Sequence, residues 1–166
     1  MVRPLLILWA SPGSLLGLAV ATPSVDEGAL FVLSGQLVDP GAADTLSVSV
    51  HWGDGTPDTP ATINAERTGF TATHRYADDD PSATAADLLA ITATVHDDAG
   101  AASSAQTLIE VRNVAPQVTQ LRIDETRDAL HSLAVLSGSF TDAGTPDTHG
   151  VLIDWGDGST GVATID

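Results

Sequence analysis

The chain has 166 residues, of which 22 are acidic and six are basic, and its formal net charge is −16. The six basic residues are arginines scattered along the sequence, so no basic face is expected and nucleic-acid binding is disfavoured. Cysteine is absent, which excludes disulfide bonds, thiol catalysis and cysteine-ligated zinc or iron–sulfur sites.

The first 21 residues are mostly apolar, contain Arg3 near their start and end in Ala-Val-Ala, the pattern of a signal peptide with a small-residue cleavage site. The sequence Ser-Pro-Gly-Ser at 11–14 interrupts the apolar run. A membrane-spanning helix is therefore not expected, because it needs about 20 consecutive apolar residues. We predict an irregular segment over 1–14, with a signal peptide over 1–21 as the alternative.

The rest of the chain has the pattern of short β-strands separated by turns. Apolar and polar residues alternate most clearly at 46–52 and 91–96, as expected for strands with one buried face. The predicted strands cover residues 15–21, 30–38, 45–52, 61–65, 70–76, 89–96 and 103–111. Glycine, proline and aspartate mark turns between them. Seven strands without an amphipathic helix predict an all-β, Ig-like antiparallel β-sandwich.

Part of this pattern occurs twice. Residues 32–56 and 135–159 align without gaps at an offset of 103 and are identical at 13 of 25 positions. Such a period is too long for a solenoid and is typical of tandem domains. We call residues 15–113 the first repeat and residues 114–166 the second repeat. The second matches the first only to about residue 63, so we expect one complete copy, a truncated second copy and a chain that is a fragment.

Several motifs in this order resemble the polycystic-kidney-disease (PKD) domain, most closely its tandem copies in large bacterial surface and secreted proteins. The motifs are VDEG, LSG-x-x-x-D-x-G, WGDG, FTATHRYADD, ITATVHDDAG and VRNVAP. The resemblance covers the first repeat in full and the second in part. It implies an Ig-like β-sandwich outside the cytoplasm that acts in adhesion, spacing or contact with protein or polysaccharide, without catalytic residues.

The WGDG motifs are interpreted as turns. Trp52 ends an alternating strand, so its ring is expected in the core, and Asp54 is expected to accept hydrogen bonds from nearby backbone amides. His74 and Tyr76 share one face of a strand, and we expect them to pack together with the phenol bonded to a loop. The predicted structural residues are Trp52, Gly53, Asp54, Gly55, His74 and Tyr76, with Trp155, Gly156, Asp157 and Gly158 in the second repeat.

The acidic residues suggest a further site. In a seven-strand antiparallel sandwich, successive turns alternate between the two ends, so acidic turns of the first repeat would face an acidic loop of the second. The candidates are Asp26, Glu27, Asp54, Asp78, Asp79 and Asp80 in the first repeat, with Asp142 and Asp147 in the second. Oxygen ligands gathered from several loops suit calcium. The hypothesis is a calcium ion at the junction, and the alternative is a set of solvated acidic turns.

These observations predict a non-enzymatic extracellular repeat module that acts as an adhesive, a spacer or a protein-interaction domain of a larger surface or secreted protein. The alternative is an accessory module of a secreted hydrolase that binds polysaccharide or protein. The histidines lack metal-ligand spacing, and no serine lies in a G-x-S-x-G motif, so we predict no catalytic residue and no cofactor other than calcium. The expected partners are neighbouring repeats and extracellular protein or polysaccharide.

Overall fold

The computed structural model describes residues 14–20, 24–39, 43–79, 84–127 and 132–166. Every regular element in these ranges is a β-strand, so the protein is all-β as predicted. Residues 1–13 of the predicted irregular N-terminal segment lie outside the described ranges. None of the described residues belongs to a helix that is long and apolar enough to cross a membrane.

The first repeat contains two sheets. One is four-stranded, and the other is five-stranded. The four-stranded sheet has the order β1 (Ser14–Val20), β3 (Leu30–Val38), β7 (Gly69–Arg75) and β6 (Thr62–Ile63). The five-stranded sheet has the order β2 (Ser24–Asp26), β9 (Ala102–Arg112), β8 (Ala86–His96), β4 (Ser47–His51) and β5 (Thr59–Pro60).

The two sheets share one hydrophobic core, an arrangement consistent with a β-sandwich. Side chains alternate between the two faces of each strand, and the apolar ones on the inner face form this core. In β3, for example, Phe31 and Leu33 are buried while Val32 between them is exposed. Trp52 directly follows β4 and is fully buried. Its ring meets Phe31 edge-on, with centroids 6.2 Å apart.

The strand pairing departs from the expected antiparallel arrangement at one place, and the single strand predicted over 61–65 is replaced by β5 and β6 in different sheets. β2 was not predicted, and it runs parallel to β9, pairing Ser24 with Glu110 and Asp26 with Arg112. All other described pairings are antiparallel. The five-stranded sheet is therefore mixed and not purely antiparallel. The chain passes from β1 in the four-stranded sheet to β2 at the edge of the five-stranded sheet. This pairing places the turn after Asp26 at the end of β9, where the linker begins.

The second repeat forms two separate hairpins. One pairs β10 (Gln117–Arg127) with β11 (Ser132–Thr141), and the other pairs β12 (Leu152–Asp154) with β13 (Thr160–Val162). Their apolar side chains are widely exposed, as shown by Leu121 at 67%. Trp155, the counterpart of the buried Trp52, is 42% exposed. In the first repeat, Trp52 is covered by His74 of β7.

Candidate metal centre at the repeat junction

The first WGDG motif forms the expected turn. Gly53 and Gly55 have φ angles of 85° and 78°, which residues with a Cβ atom rarely adopt. Asp54 Oδ1 accepts hydrogen bonds from the backbone N–H of Thr56 at 3.1 Å and from its hydroxyl at 2.6 Å. The Trp52 indole Nε1 donates to Thr59 Oγ1 at 2.8 Å. The motif is thus held by its own polar groups.

His74 joins this turn from the neighbouring sheet. Its ring stacks on Trp52 with centroids 4.7 Å apart and an interplanar angle of 7°, and its Nε2 lies 2.6 Å from Asp54 Oδ2. Tyr76 meets His74 edge-on at 4.8 Å and donates its hydroxyl hydrogen to the Trp52 carbonyl at 3.2 Å. His74 and Tyr76 thus lie against each other at the WGDG turn, and the contact between His74 and Asp54 was not foreseen.

This environment perturbs two of the side chains. Burial alone raises the pKa of Asp54, but hydrogen bonds from Thr56 and His74 outweigh it, so the pKa lies below its ordinary value. Burial raises the pKa of Tyr76, and the nearby Asp54 carboxylate adds to the rise. Asp54 is therefore an ionised turn residue that is already engaged by hydrogen bonds.

The second WGDG motif repeats the turn. Gly156 and Gly158 have φ angles of 78° and 91°. Asp157 Oδ1 accepts a hydrogen bond from the Ser159 backbone N–H at 2.8 Å, and hydrogen bonds from Ser159 lower the pKa of Asp157. The local geometry is thus the same as in the first repeat, although Trp155 is not buried. Turn formation therefore depends on the local sequence and not on burial of the tryptophan.

Glu27 occupies the end of the first repeat that faces the second. Its backbone N–H donates to the Arg112 carbonyl at 3.0 Å, which fixes it beside the end of β9. The next residue, Gly28, has a φ of 72° and donates its N–H to the Tyr76 carbonyl at 2.7 Å. Glu27 is only 2% exposed. Its Oε1 accepts a hydrogen bond from the backbone N–H of Val114 in the linker at 2.7 Å.

A loop of the second repeat, residues 142–147, lies against this end. The Thr145 N–H donates to the Ala77 carbonyl at 3.2 Å, across the boundary between the repeats. Within the loop, Asp142 Oδ1 accepts from the Ala143 N–H at 2.8 Å, and Asp142 Oδ2 lies 2.6 Å from His149 Nε2. The hydrogen bond from His149 is the main reason that the pKa of Asp142 is lowered.

Five of the eight predicted acidic candidates meet at this junction. One group consists of Glu27, Asp142 and Asp147, and a second consists of Glu27, Asp78 and Asp79. Within each group, one ligand oxygen from every residue lies within 4.8 Å of the others. Glu27 belongs to both groups, so the two form one continuous acidic pocket. The proximity that the topology argument predicted is present for these residues.

The pocket shifts the titration of its buried members. Burial raises the pKa of Glu27, and the carboxylates of Asp147, Asp79 and Asp142 raise it further, against the lowering effect of the Val114 N–H. Burial also raises the pKa of Asp79, and its contact with the Asp78 carboxyl adds to the rise. Both shifts favour the neutral form of these two buried carboxyl groups over the charged form.

The remaining three candidates do not join the pocket. Asp26 forms an exposed ion pair with Arg112, with Nη2 and Oδ1 2.9 Å apart. Asp54 is engaged by His74 and Thr56, and Asp80 lies outside the described residues. Gly144, which lies between Asp142 and Asp147 in the same loop, was not among the predicted site residues. The signal that could have identified it is its alignment with Gly41 of the first repeat.

Comparison with protein-family models gives no match, and comparison with curated proteins gives none either. The functional interpretation of the chain therefore depends on its own residues and geometry.

Proposed function

We propose that this chain is a non-enzymatic, extracellular repeat module that serves as a spacer in a larger surface or secreted protein. The observation that carries the proposal is the joint between the repeats. Val114 of the linker bonds to the buried Glu27, and Thr145 of the second repeat bonds to Ala77 of the first. A joint held on the linker and on the opposing loop limits bending, which is what a spacer requires.

Two further features support this proposal. The motifs that resemble PKD domains are those that form the strands and turns of the first repeat. The most enzyme-like constellation, the His74 and Asp54 pair, is enclosed by Trp52 and Tyr76, and both of its side chains are about nine-tenths buried. A general base needs access to a substrate proton, so this pair is better explained as part of the fold.

A polysaccharide-binding role is supported less well. Such sites usually present flat aromatic rings to the solvent. In the part of the chain that the structure describes, Phe31, Trp52, Phe70 and Tyr76 are buried, and Trp155 is exposed without an exposed aromatic partner. We therefore favour the spacer.

The spacer function predicts a narrow range of orientations between the repeats. Because the chain contains no cysteine, spin labels can be attached to cysteines introduced at two exposed positions, Ala102 and Ser137. Pulsed electron resonance should give a narrow distance distribution for the full chain. Glu27→Ala should broaden it, because the variant removes the bond to Val114. Asp26→Ala is the matched control, since its exposed ion pair does not touch the second repeat, and it should leave the distribution narrow.

Two results would contradict the proposal. A broad distribution in the parent chain, with or without calcium, would show that the repeats are not held in a fixed arrangement. Equal broadening by Glu27→Ala and Asp26→Ala would show that Glu27 has no special role at the joint. Circular dichroism of each variant confirms that the first repeat is folded before the distances are compared.

A further inference from the structure

Two buried carboxylate oxygens at the junction have no hydrogen-bond donor. Glu27 Oε2 and Asp79 Oδ1 are both buried, and neither accepts a hydrogen bond from the described residues. Their residues are 2% and 0% exposed. A buried carboxylate oxygen without a donor is strongly unfavourable, so such a pair calls for another source of positive charge.

The arginines of the described residues do not supply that charge, and His149 contacts Asp142 alone of the carboxylates at the junction. Glu27, Asp79 and Asp147 form no ion pair with the basic side chains of the described residues. The first repeat offers a direct comparison, because Asp39 and Asp44 align with Asp142 and Asp147. There, Arg67 Nη2 lies 3.0 Å from Asp39 Oδ2 and also contacts the Asp44 carbonyl. In the first repeat a guanidinium thus contacts both Asp39 and the Asp44 backbone, whereas in the second repeat Asp142 contacts His149 and Asp147 lies beside the carboxylate of Glu27.

The oxygens of Glu27, Asp142 and Asp147 are close enough together for one calcium ion to contact all three residues. Calcium binds carboxylate oxygens at about 2.3–2.6 Å, so two ligands on opposite sides of one ion lie about 4.8 Å apart. The ligand oxygens of Glu27, Asp142 and Asp147 all lie within 4.8 Å of one another. Magnesium demands near-ideal octahedral geometry and keeps several of its water molecules, so carboxylates gathered from separate loops suit it less well than calcium.

Gly144 leaves open the space between these oxygens. A Cβ atom at this position would lie 2.6 Å from Asp147 Oδ2 and 2.8 Å from Glu27 Oε2. Both distances are too short for a carbon atom in contact with oxygen. The backbone of residue 144 therefore borders the point where the carboxylates of the two repeats converge.

We propose that this pocket binds a calcium ion that bridges the repeats, with Glu27 from the first repeat and Asp147 from the second as its main ligands. Asp142, whose carboxylate is also held by His149 and the Ala143 N–H, lies beside them as a further ligand. Asp78 and Asp79 extend the pocket and add to its negative charge. The ion supplies the positive charge that Glu27 Oε2 lacks, and it ties the loop 142–147 to the first repeat. The role of the calcium ion in limiting bending between the repeats rests on the proposed spacer function, whereas the binding of the ion does not.

The test is calorimetric titration of the full chain with calcium chloride after removal of metal by a chelator. The parent chain should bind calcium in preference to magnesium, and its melting temperature should rise with calcium concentration, because a ligand of the folded state stabilises it. Asp147→Asn and Gly144→Ala should each weaken calcium binding at least tenfold. Asp44→Asn is the matched control, since it changes the same loop position in the first repeat, and it should leave binding unchanged.

The absence of both binding heat and a calcium-dependent melting shift in the parent chain would overturn the proposal. Equal losses in Asp147→Asn and Asp44→Asn would do the same, because binding would then reflect overall charge. The spin-label distances separate this result from the spacer function. A chain that does not bind calcium but has a narrow distance distribution would refute the metal site and leave the spacer intact. A chain that binds calcium but keeps a broad distribution would refute the spacer alone.

Discussion

The two WGDG tryptophans provide an internal test of what burial contributes to this fold. Trp52 is 0% exposed, while Trp155 is 42% exposed in a turn of the same backbone geometry. We expect Trp52→Ala to lower the free energy of unfolding by about 3–5 kcal/mol, the usual cost of removing a buried tryptophan. Trp155→Ala should cost no more than about 0.5–1 kcal/mol, as for other surface substitutions.

The structure identifies the contacts behind the larger cost. Trp52→Ala removes the edge contact with Phe31, the stack on His74 and the hydrogen bond to Thr59. It also leaves a cavity between the sheets, which adds to the lost transfer free energy. For a domain of about 100 residues, this corresponds to a fall in melting temperature of at least about 12 °C.

Urea unfolding followed by far-ultraviolet circular dichroism measures both variants without relying on tryptophan fluorescence. The slope of the transition should be unchanged, so that the midpoint reports stability. A cost for Trp52→Ala below about 1 kcal/mol would refute the assignment of Trp52 as a core residue. Similar costs for the two variants would show that the motif acts through its turn and not through burial of the ring.

Three other substitutions test the turn itself. Gly55→Ala should lower the free energy of unfolding by about 1 kcal/mol, because φ is 78° but no atom lies within 4 Å of the added methyl group. Gly53→Ala should lower it by more than about 2 kcal/mol, since its Cβ would also lie 2.6 Å from the Ala90 carbonyl oxygen. Equal urea midpoints for the two variants would contradict this difference. Asp54→Asn should cost about 1–2 kcal/mol at pH 7 through the weakened bonds to Thr56 and His74. Because the folded pKa of Asp54 lies below its unfolded value of about 3.9, its contribution is complete above that pH and is lost as the pH falls through the folded pKa. The stability difference between parent and variant should therefore narrow on acidification from pH 7 to about pH 2.5, and a constant difference would refute the role of the ionised carboxylate.

The strands could be predicted wherever alternation was long enough. β3 covers Leu30–Val38 as predicted, and β8 and β9 differ from their predicted ranges by one to three residues. β2 was missed because it has only three residues, and its partner in β9 is more than 80 positions away in sequence. A pattern of local alternation carries no information about such a pairing. The exposure of Trp155 could not be predicted for the same reason, because burial of a tryptophan depends on contacts with strands that are distant in sequence.

The candidate site was predictable only at the level of topology. Alternation of turns between the two ends of a sandwich was enough to bring Glu27, Asp78 and Asp79 to the side of the second repeat. It could not separate them from Asp26 and Asp54, which find Arg112 and His74 as partners. Both partners lie far away in sequence, at 86 and 20 residues. Which acidic residue is neutralised is thus decided by tertiary contacts.

The two copies of the D-x-G-x-x-D loop show what turns an acidic loop into a candidate cation site. In the first repeat, Asp39 is paired with Arg67, which supplies the positive charge from within the same repeat. In the second repeat, Asp142 and Asp147 approach Glu27 of the preceding repeat. The sequence of the loop is the same in its acidic residues and its glycine, so the loop alone does not determine the chemistry. The residues that meet the loop differ between the repeats, Arg67 in the first and His149 and Glu27 in the second, which is why we expect Asp44→Asn and Asp147→Asn to differ in their effect on calcium binding.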